Sequence, residues 1–447
     1  MKKQNYLAFL AATIFSLGVV VPIGYKIGKD IVEKNIEAHA DGGEEMKKIT
    51  ISYPQDGQNV TILRREVTEY IKAMYTQAEA IENDYILHDF YVHADPAGSR
   101  PGYGTVLSND TDLVRIDDYW GNSGEYGRSK SVYLVFDSEG LEENAEYTVK
   151  YSLNNDLSEA TTLVTTDKFV ILENLFADQT YYWSVTSDEV STGIKSFKTN
   201  DGFRMISSGQ VTNVRDMGGR RVAGGKHIKQ GLIYRGSEFV RADYVDTKSG
   251  STHYKSLDEK ALNVLQNQLH IGYEFDFRGD EESGLLTESP LKDENYTDVL
   301  YERIPNMSGY DGWFSMNDTM KEQFANMLRA FGRAEEDNRV CYFHCWGGAD
   351  RTGTAGFILG GLLGMSYTDL IIDFELTSFA GNYRPHYKMD SKKIYCFPAL
   401  IWKFMNRAEY KANPNITISE LIEDVLVDKF NMTHEEIAQI KNNLLED

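Results

Sequence analysis

The chain has little cysteine, little proline and a deficit of positive charge. Its three cysteines, Cys341, Cys345 and Cys396, stand among 447 residues and are too few and too unevenly placed for a disulfide framework. Cys341 and Cys345 lie four apart with no second Cys or His pair at zinc-finger spacing, so no metal site is expected. Cys341 and Cys396 read as small buried hydrophobes. Lys and Arg number 46 against 68 Asp and Glu, a formal net charge of -22. A chain of that charge repels nucleic acid, and any phosphate site in it must build its own local positive field from backbone N–H groups and placed arginines. No internal repeat is visible.

What is present suffices for a large core. With 41% hydrophobic and 12% aromatic residues, the length predicts two to three domains. No charge interrupts Tyr6 to Tyr25, and a helix of that length, at about 1.5 Å per residue, spans bilayer hydrocarbon. Residues 1–30 are therefore expected to be an uncleaved membrane anchor, with the bulk of the chain outside the cell. Secretion after cleavage near Ala38-His-Ala40 is the alternative.

Residues 31–130 read as linker and amphipathic helix. Leu63, Val67, Tyr70, Ile71, Met74, Ala78 and Ile81 recur at threes and fours, a helical stripe that suits a stalk or a helix packed on the next domain. Residues 93–130 are rich in Gly, Pro, Ser, Asn and Asp and predict loops. From 131 to 200 the period becomes two (Val132, Leu134, Phe136; Tyr147, Val149, Tyr151; Thr180 to Val185), predicting a small β-sandwich. Leu172-Glu-Asn-Leu175 followed by Thr180-Tyr-Tyr-Trp-Ser-Val185 resembles the late strands of a fibronectin type III domain. From 203 to 447 strands and helices mix, with helix caps predicted at Ser256 to Glu259, Ser366 to Asp369, Thr417 to Glu420 and Thr433 to Glu436.

The chemistry concentrates in His344-Cys-Trp-Gly-Gly-Ala-Asp-Arg-Thr-Gly353, between an apolar strand and an apolar helix. A cysteine attacks phosphorus as its thiolate, so a thiol pKa near about 8.5 must fall. A helix N-terminus supplies inward N–H groups and a favourable dipole for both thiolate and phosphate. Gly347 and Gly348 let the backbone wrap. Arg351, six residues after Cys345, offers a planar fork for two phosphoryl oxygens. The backbone of Trp346, Gly347, Gly348 and Ala349 would cradle the substrate phosphate. Thr352 would donate its hydroxyl to the sulfur, and His344 would orient the loop.

This segment, with Asn213-Val-Arg-Asp-Met-Gly-Gly219, Gly231-Leu-Ile-Tyr-Arg-Gly-Ser237 and Phe275-Asp-Phe-Arg-Gly-Asp-Glu-Glu282, resembles the atypical bacterial tyrosine phosphatases, whose signature is His-Cys-x-x-Gly-x-Asp-Arg-Thr-Gly. The resemblance implies a central sheet, a phosphocysteine intermediate and no metal or other cofactor. Members that also cleave phosphoinositides carry Lys where this chain has Ala349, which tilts the expected substrate toward phosphotyrosine in proteins or peptides. Phosphoinositides or another phosphate ester, and a surface adhesion protein with an inactive phosphatase fold, are the alternatives.

A leaving phenolate departs faster when protonated, so an acid is required. Asp350 matches the family's loop aspartate and is the first choice, with Asp276 and Asp311 as alternates; Asp276 also suits a structural pairing with Arg278. Arg215 and Asp216 are read as an ion pair bracing the site. The expected fold class is a multi-domain chain: an N-terminal transmembrane anchor, an all-β sandwich, then an α/β cysteine-phosphatase domain with a helical C-terminal part. The oligomeric state is unassigned.

Overall fold

A computed structural model describes residues 46–80, 114–188, 190–239, 257–283, 286–387, 397–413 and 415–447. The expected anchor over 1–30, the loops from 93 to 113, and Cys396 lie outside them. Among the described residues no helix is long and apolar enough to cross a membrane. The fold class is corrected accordingly: sheets and helices form a mixed α/β, multi-domain chain, and the membrane anchor is withdrawn from it.

Alternating apolar side chains build the first half. Strands β1 (Lys48–Tyr53), β2 (Gln58–Val60), β3 (Val132–Glu139), β4 (Tyr147–Ser152), β5 (Thr161–Thr165), β6 (Phe169–Leu172), β7 (Thr180–Ser187), β8 (Val190–Ser191) and β9 (Lys195–Thr199) form two sheets, β1-β3-β6 and β2-β9-β7-β4-β5, with β8 beside β7. Val132, Leu134, Phe136, Tyr147, Val149, Trp183, Val185 and Phe197 share one core, as a period of two requires. Strands β1 and β2 come from residues read as linker. Each sends only one fully buried apolar side chain inward, Ile49 and Val60, so no alternation marks them in the sequence.

Helix α1 (Arg65–Ala80) buries Val67, Tyr70 and Met74. They join the core of the second half of the chain, and the Tyr70 hydroxyl donates to Glu375. Full burial of such a side chain is worth about 1.5–3 kcal/mol, so α1 belongs to that core and is not a free stalk.

The second half contains β10 (Arg215–Asp216), β11 (His227–Ile228), β12 (Ile233–Gly236), β13 (Ile271–Asp276), β14 (Leu300–Arg303), β15 (Val340–His344) and β16 (Leu445–Glu446). The central sheet runs β10-β12-β15-β13-β14. Its last four strands are parallel and β10 is antiparallel to β12. β12 and β15 are buried almost throughout, as a parallel sheet covered on both faces demands. Around it lie α2 (Asp318–Gly332), α3 (Asp350–Leu362), α4 (Tyr367–Phe379), α5 (Phe397–Met405), α6 (Ala408–Ala412), α7 (Ile418–Phe430) and α8 (His434–Leu444). Thr417 with Glu420, and Thr433 with Glu436, form complete capping boxes, and Ser366 caps α4. At the fourth expected cap, Asp258 takes the role by accepting from the Ala261 amide; Ser256 lies outside the described residues.

Lys48–Asp447 is one compact unit, and Arg204 fastens its halves. The guanidinium donates to the Asn174 and Leu175 carbonyls of the sandwich and to Asp216 and Tyr234 on the central sheet. In open parallel sheets the functional cleft lies at the carboxyl ends of the strands. Here those ends present Gly236, Asp276 and His344, one residue before Cys345.

Candidate active site

Cys345 leaves β15 onto a five-residue turn that runs into α3, and it is 3% exposed. Ala349 caps α3 without a side-chain hydrogen bond, so no side chain competes for the orphan N–H groups of that helix end. Gly348 sits at φ +65°, and a Cβ there would come within 2.3 Å of the Gly236 carbonyl. The turn therefore lies directly against β12, and only glycine fits. Gly347 has ordinary backbone. Trp346 is 65% exposed at the mouth. It shares a cleft with Gln210, Val211, Thr212, Ser237, Glu238, Leu257, Gly347 and Asn382.

Arg351 lies on the first turn of α3. Its Nη1 and Nη2 donate to the two Glu282 oxygens at 2.5 and 2.9 Å, and Nη1 also reaches the Phe277 carbonyl. A guanidinium has two bidentate edges. Glu282 takes the Nη1/Nη2 edge, and no hydrogen bond occupies the Nε/Nη2 edge among the described residues. Glu282→Ala is thus expected to lower kcat/KM for an aryl phosphate about a hundredfold, the scale of a misplaced catalytic group, in steady-state assays at fixed pH.

His344 is fully buried; its Nε2 pairs with Glu274 at 2.8 Å and its Nδ1 lies 3.1 Å from the Cys345 carbonyl. Burial works against its charge, but Asp276 beside it and the Glu274 hydrogen bond outweigh burial and raise it above 6.5. Asp276 is chelated by Arg278 and accepts from Tyr301. Burial opposes its ionisation, yet His344 and Arg278 hold its carboxyl well below the usual range. Asp276 is fully buried with both oxygens taken by Arg278 and Tyr301, which leaves it the structural role. Glu274, Asp276 and His344 are the one group of metal-ligand side chains brought together among the described residues. His344 Nε2 and Glu274 Oε1 are committed to each other and Asp276 to Arg278, while Glu274 Oε2 is buried without a partner; with the Arg278 guanidinium already in contact, we assign no metal to them.

Arg215 and Asp216 are not an ion pair. As neighbours in β10 they point to opposite faces, and each takes another partner: Arg215 pairs with Asp373 at 3.0 Å and Asp216 with Arg204 at 2.8 Å. Asp373 also holds Arg220 and Arg235. Three buried guanidiniums thus meet one carboxylate, a net of two positive charges behind the turn. Arg235 donates to the Gly348 carbonyl at 3.1 Å, and its head occupies the space a Cβ on Gly356 would fill. Burial and the adjacent Arg215 pull Arg235 down to about 9, still protonated at neutral pH. Asn213 clips the turn from below, donating to the Gly347 and Gly348 carbonyls while its own oxygen accepts from Arg215.

Asp350 opens α3 and accepts from the Tyr310 hydroxyl at 2.6 Å and from Arg384 Nε at 2.7 Å. Asp311 follows Tyr310 on the 3-10 turn Tyr310–Ser315. The Thr352 hydroxyl is buried without a hydrogen-bond partner, so its expected bond to sulfur is not made in this state. Cys341 points its thiol at the Arg339 carbonyl, and burial pushes that thiol well up. Four extended residues from Cys345 is about 13 Å, beyond the roughly 7 Å limit for bridged Cα atoms, so the two sulfurs form no disulfide.

Glu282, Asn213 and Arg235 sit in stretches that carry the family resemblance, although their roles are not legible there. Asp373 shows itself only as an acid inside Leu370-Ile-Ile-Asp-Phe-Glu-Leu376, an apolar run in which a lone carboxylate signals a buried cation. Tyr310 and Arg384 give no sequence signal.

A profile described as the tyrosine phosphatase family matches residues 206–446. A protein of Cupriavidus necator, provisionally named a tyrosine-protein phosphatase, is 24% identical over 174 residues. That alignment covers 37% of this chain and 59% of the relative, less than two thirds of its length. With the profile matching more than half of its length, the chain belongs to the tyrosine phosphatase family.

Proposed function

We propose that this chain hydrolyses phosphotyrosine in proteins or peptides through a phosphocysteine intermediate. Family membership supports phosphatase activity and a phosphorylated substrate. The observation that carries the mechanism is the setting of Cys345: a buried cysteine on a turn between a strand end and an uncapped helix N-terminus. In this reading the Cys345 sulfur attacks phosphorus as the aryl oxygen leaves. Arg351 and the turn's N–H groups stabilise the equatorial oxygens, and Asp350 gives its proton to the leaving oxygen. Water then attacks phosphorus, the S–P bond breaks, and Asp350 takes the water's proton. The buried arginine cluster adds a positive field behind the turn that favours a bound phosphate.

The substrate preference rests on the mouth of the cleft. Its described lining contains no lysine or arginine, and Glu238 is its single charged side chain; Ala349 adds no cation to the turn. Among the described residues lining this cleft, a headgroup with several phosphates meets no second cation, and one such contact is worth about 1.5–3 kcal/mol. We therefore expect kcat/KM on phosphotyrosine peptides to exceed that on phosphoinositides by about tenfold or more in side-by-side assays. Equal or reversed rates would replace the protein substrate with a lipid one. In the same reading the sandwich is a fibronectin type III-like module.

A further inference from the structure

We propose that Arg384 is a positioning residue of the reaction, acting on substrate through Asp350; the inference rests on the reading in which Asp350 is the acid. Arg384 follows α4. Its Nε lies 2.7 Å and its Nη2 3.4 Å from the two Asp350 oxygens, and both side chains are largely buried, 13% and 21% exposed. Salt screens such a pair less than an exposed one.

The segment bearing Arg384 is held from several sides. The Arg384 amide donates to Ser378 Oγ and its Nη1 to the Tyr383 carbonyl, both at 2.8 Å. The hydroxyls of Tyr383 and Tyr387 donate to Asp117, and Trp120 packs on the Tyr383 ring at 4.9 Å. Glu375 accepts from the His386 amide and meets its Nδ1. Asn382 Nδ2 donates to the Gly347 carbonyl at 3.3 Å. One short segment thus touches the catalytic turn at Gly347 and at Asp350. It is braced by residues 117–120, which precede the sandwich strand β3.

Tyr310 also faces Asp350, its hydroxyl donating to Oδ1; Arg351 is beside Asp350 on α3, and Asp311 adjoins Tyr310. Tyr310 has φ +54°, an uncommon conformation for a bulky residue. Its amide donates to Thr354, which fixes the phenol over the carboxylate. A guanidinium that reaches both oxygens fixes the orientation of the carboxyl group. Arg384 therefore holds Asp350 in place for proton transfer to the aryl oxygen in the first step. It holds the same group in place to take the proton of water in the second.

The test is the ratio of kcat on phenyl phosphate to kcat on p-nitrophenyl phosphate with the full chain, because the poorer leaving group depends more on a placed acid. Arg384→Met and Arg384→Gln are expected to lower that ratio about tenfold, while Arg384→Lys, which keeps the charge, leaves it near the wild-type value. A ratio unchanged in both Met and Gln variants overturns the proposal, whatever the loss in rate. If Arg384→Met does not fold, Arg384→Gln, which keeps a donor on a similar stem, decides alone. Wild-type turnover in Cys345→Ser would remove the parent reading instead, and that result is separate from the ratio.

Discussion

Cys345→Ser is expected to lower kcat on an aryl phosphate by about four orders of magnitude or more, the scale at which a nucleophile acting in a unit with its partners is lost. The reason is electronic. The surroundings of Cys345 are arranged for an anion: an uncapped helix end, Arg351 on the first turn, and a buried cluster whose guanidiniums outnumber their shared carboxylate three to one. Sulfur is intrinsically the stronger nucleophile toward phosphorus, whereas a serine hydroxyl attacks weakly. The variant should keep its fold, because serine is smaller and the turn is held by Gly348, Asn213 and Arg235 contacts that do not involve sulfur. Unchanged thermal unfolding with lost turnover is the expected pair of results.

Asp373→Ala is expected to act on stability. Asp373 is the carboxylate for Arg215, Arg220 and Arg235, all at most 1% exposed at the side chain. Removing it leaves three buried guanidiniums without their counter-charge. Breaking one buried pair costs about 3–5 kcal/mol, a large share of a total near 5–15 kcal/mol, so a fall in melting temperature of about 10 °C or more follows. The same carboxylate sets an acid limit. Burial opposes its ionisation, but Arg215, Arg235 and Arg220 outweigh burial and hold it below its ordinary 3.8. Its contribution is therefore complete above about pH 4 and is lost as pH falls toward the folded value. Thermal melts across pH 3–7 should show the wild type losing stability on the acid side and Asp373→Ala starting lower with a flatter slope. Matching melts for both proteins would mean that the cluster carries no net stability.

The residues that do the proposed chemistry are the ones legible in the sequence, because turn, glycine and arginine lie within ten consecutive positions. The supports are less legible, since they reach the turn from distant parts of the chain. Arg215 and Asp216 stand side by side in the sequence and suggest a pair, yet strand geometry sends them to opposite faces and to partners at Asp373 and Arg204. Arg384 and Tyr310 converge on Asp350 from 34 and 40 positions away. For the fold, the capping boxes at Thr417 and Thr433 and the alternation in β3, β4 and β7 are local signals and read directly. Strands β1 and β2 are short and contribute one buried apolar residue each, so their pairing with β3 and β9 is visible only in space.

The most direct measurement is acid quenching of the full chain during turnover of an aryl phosphate, followed by mass spectrometry of the peptide that contains Cys345. The expected result is a phosphoryl group on the Cys345 sulfur in the wild type and none on that peptide in Cys345→Ser. Turnover with the phosphoryl group on another residue, or with no phosphorylated enzyme at any quench time while Cys345→Ser remains active, would contradict the mechanism.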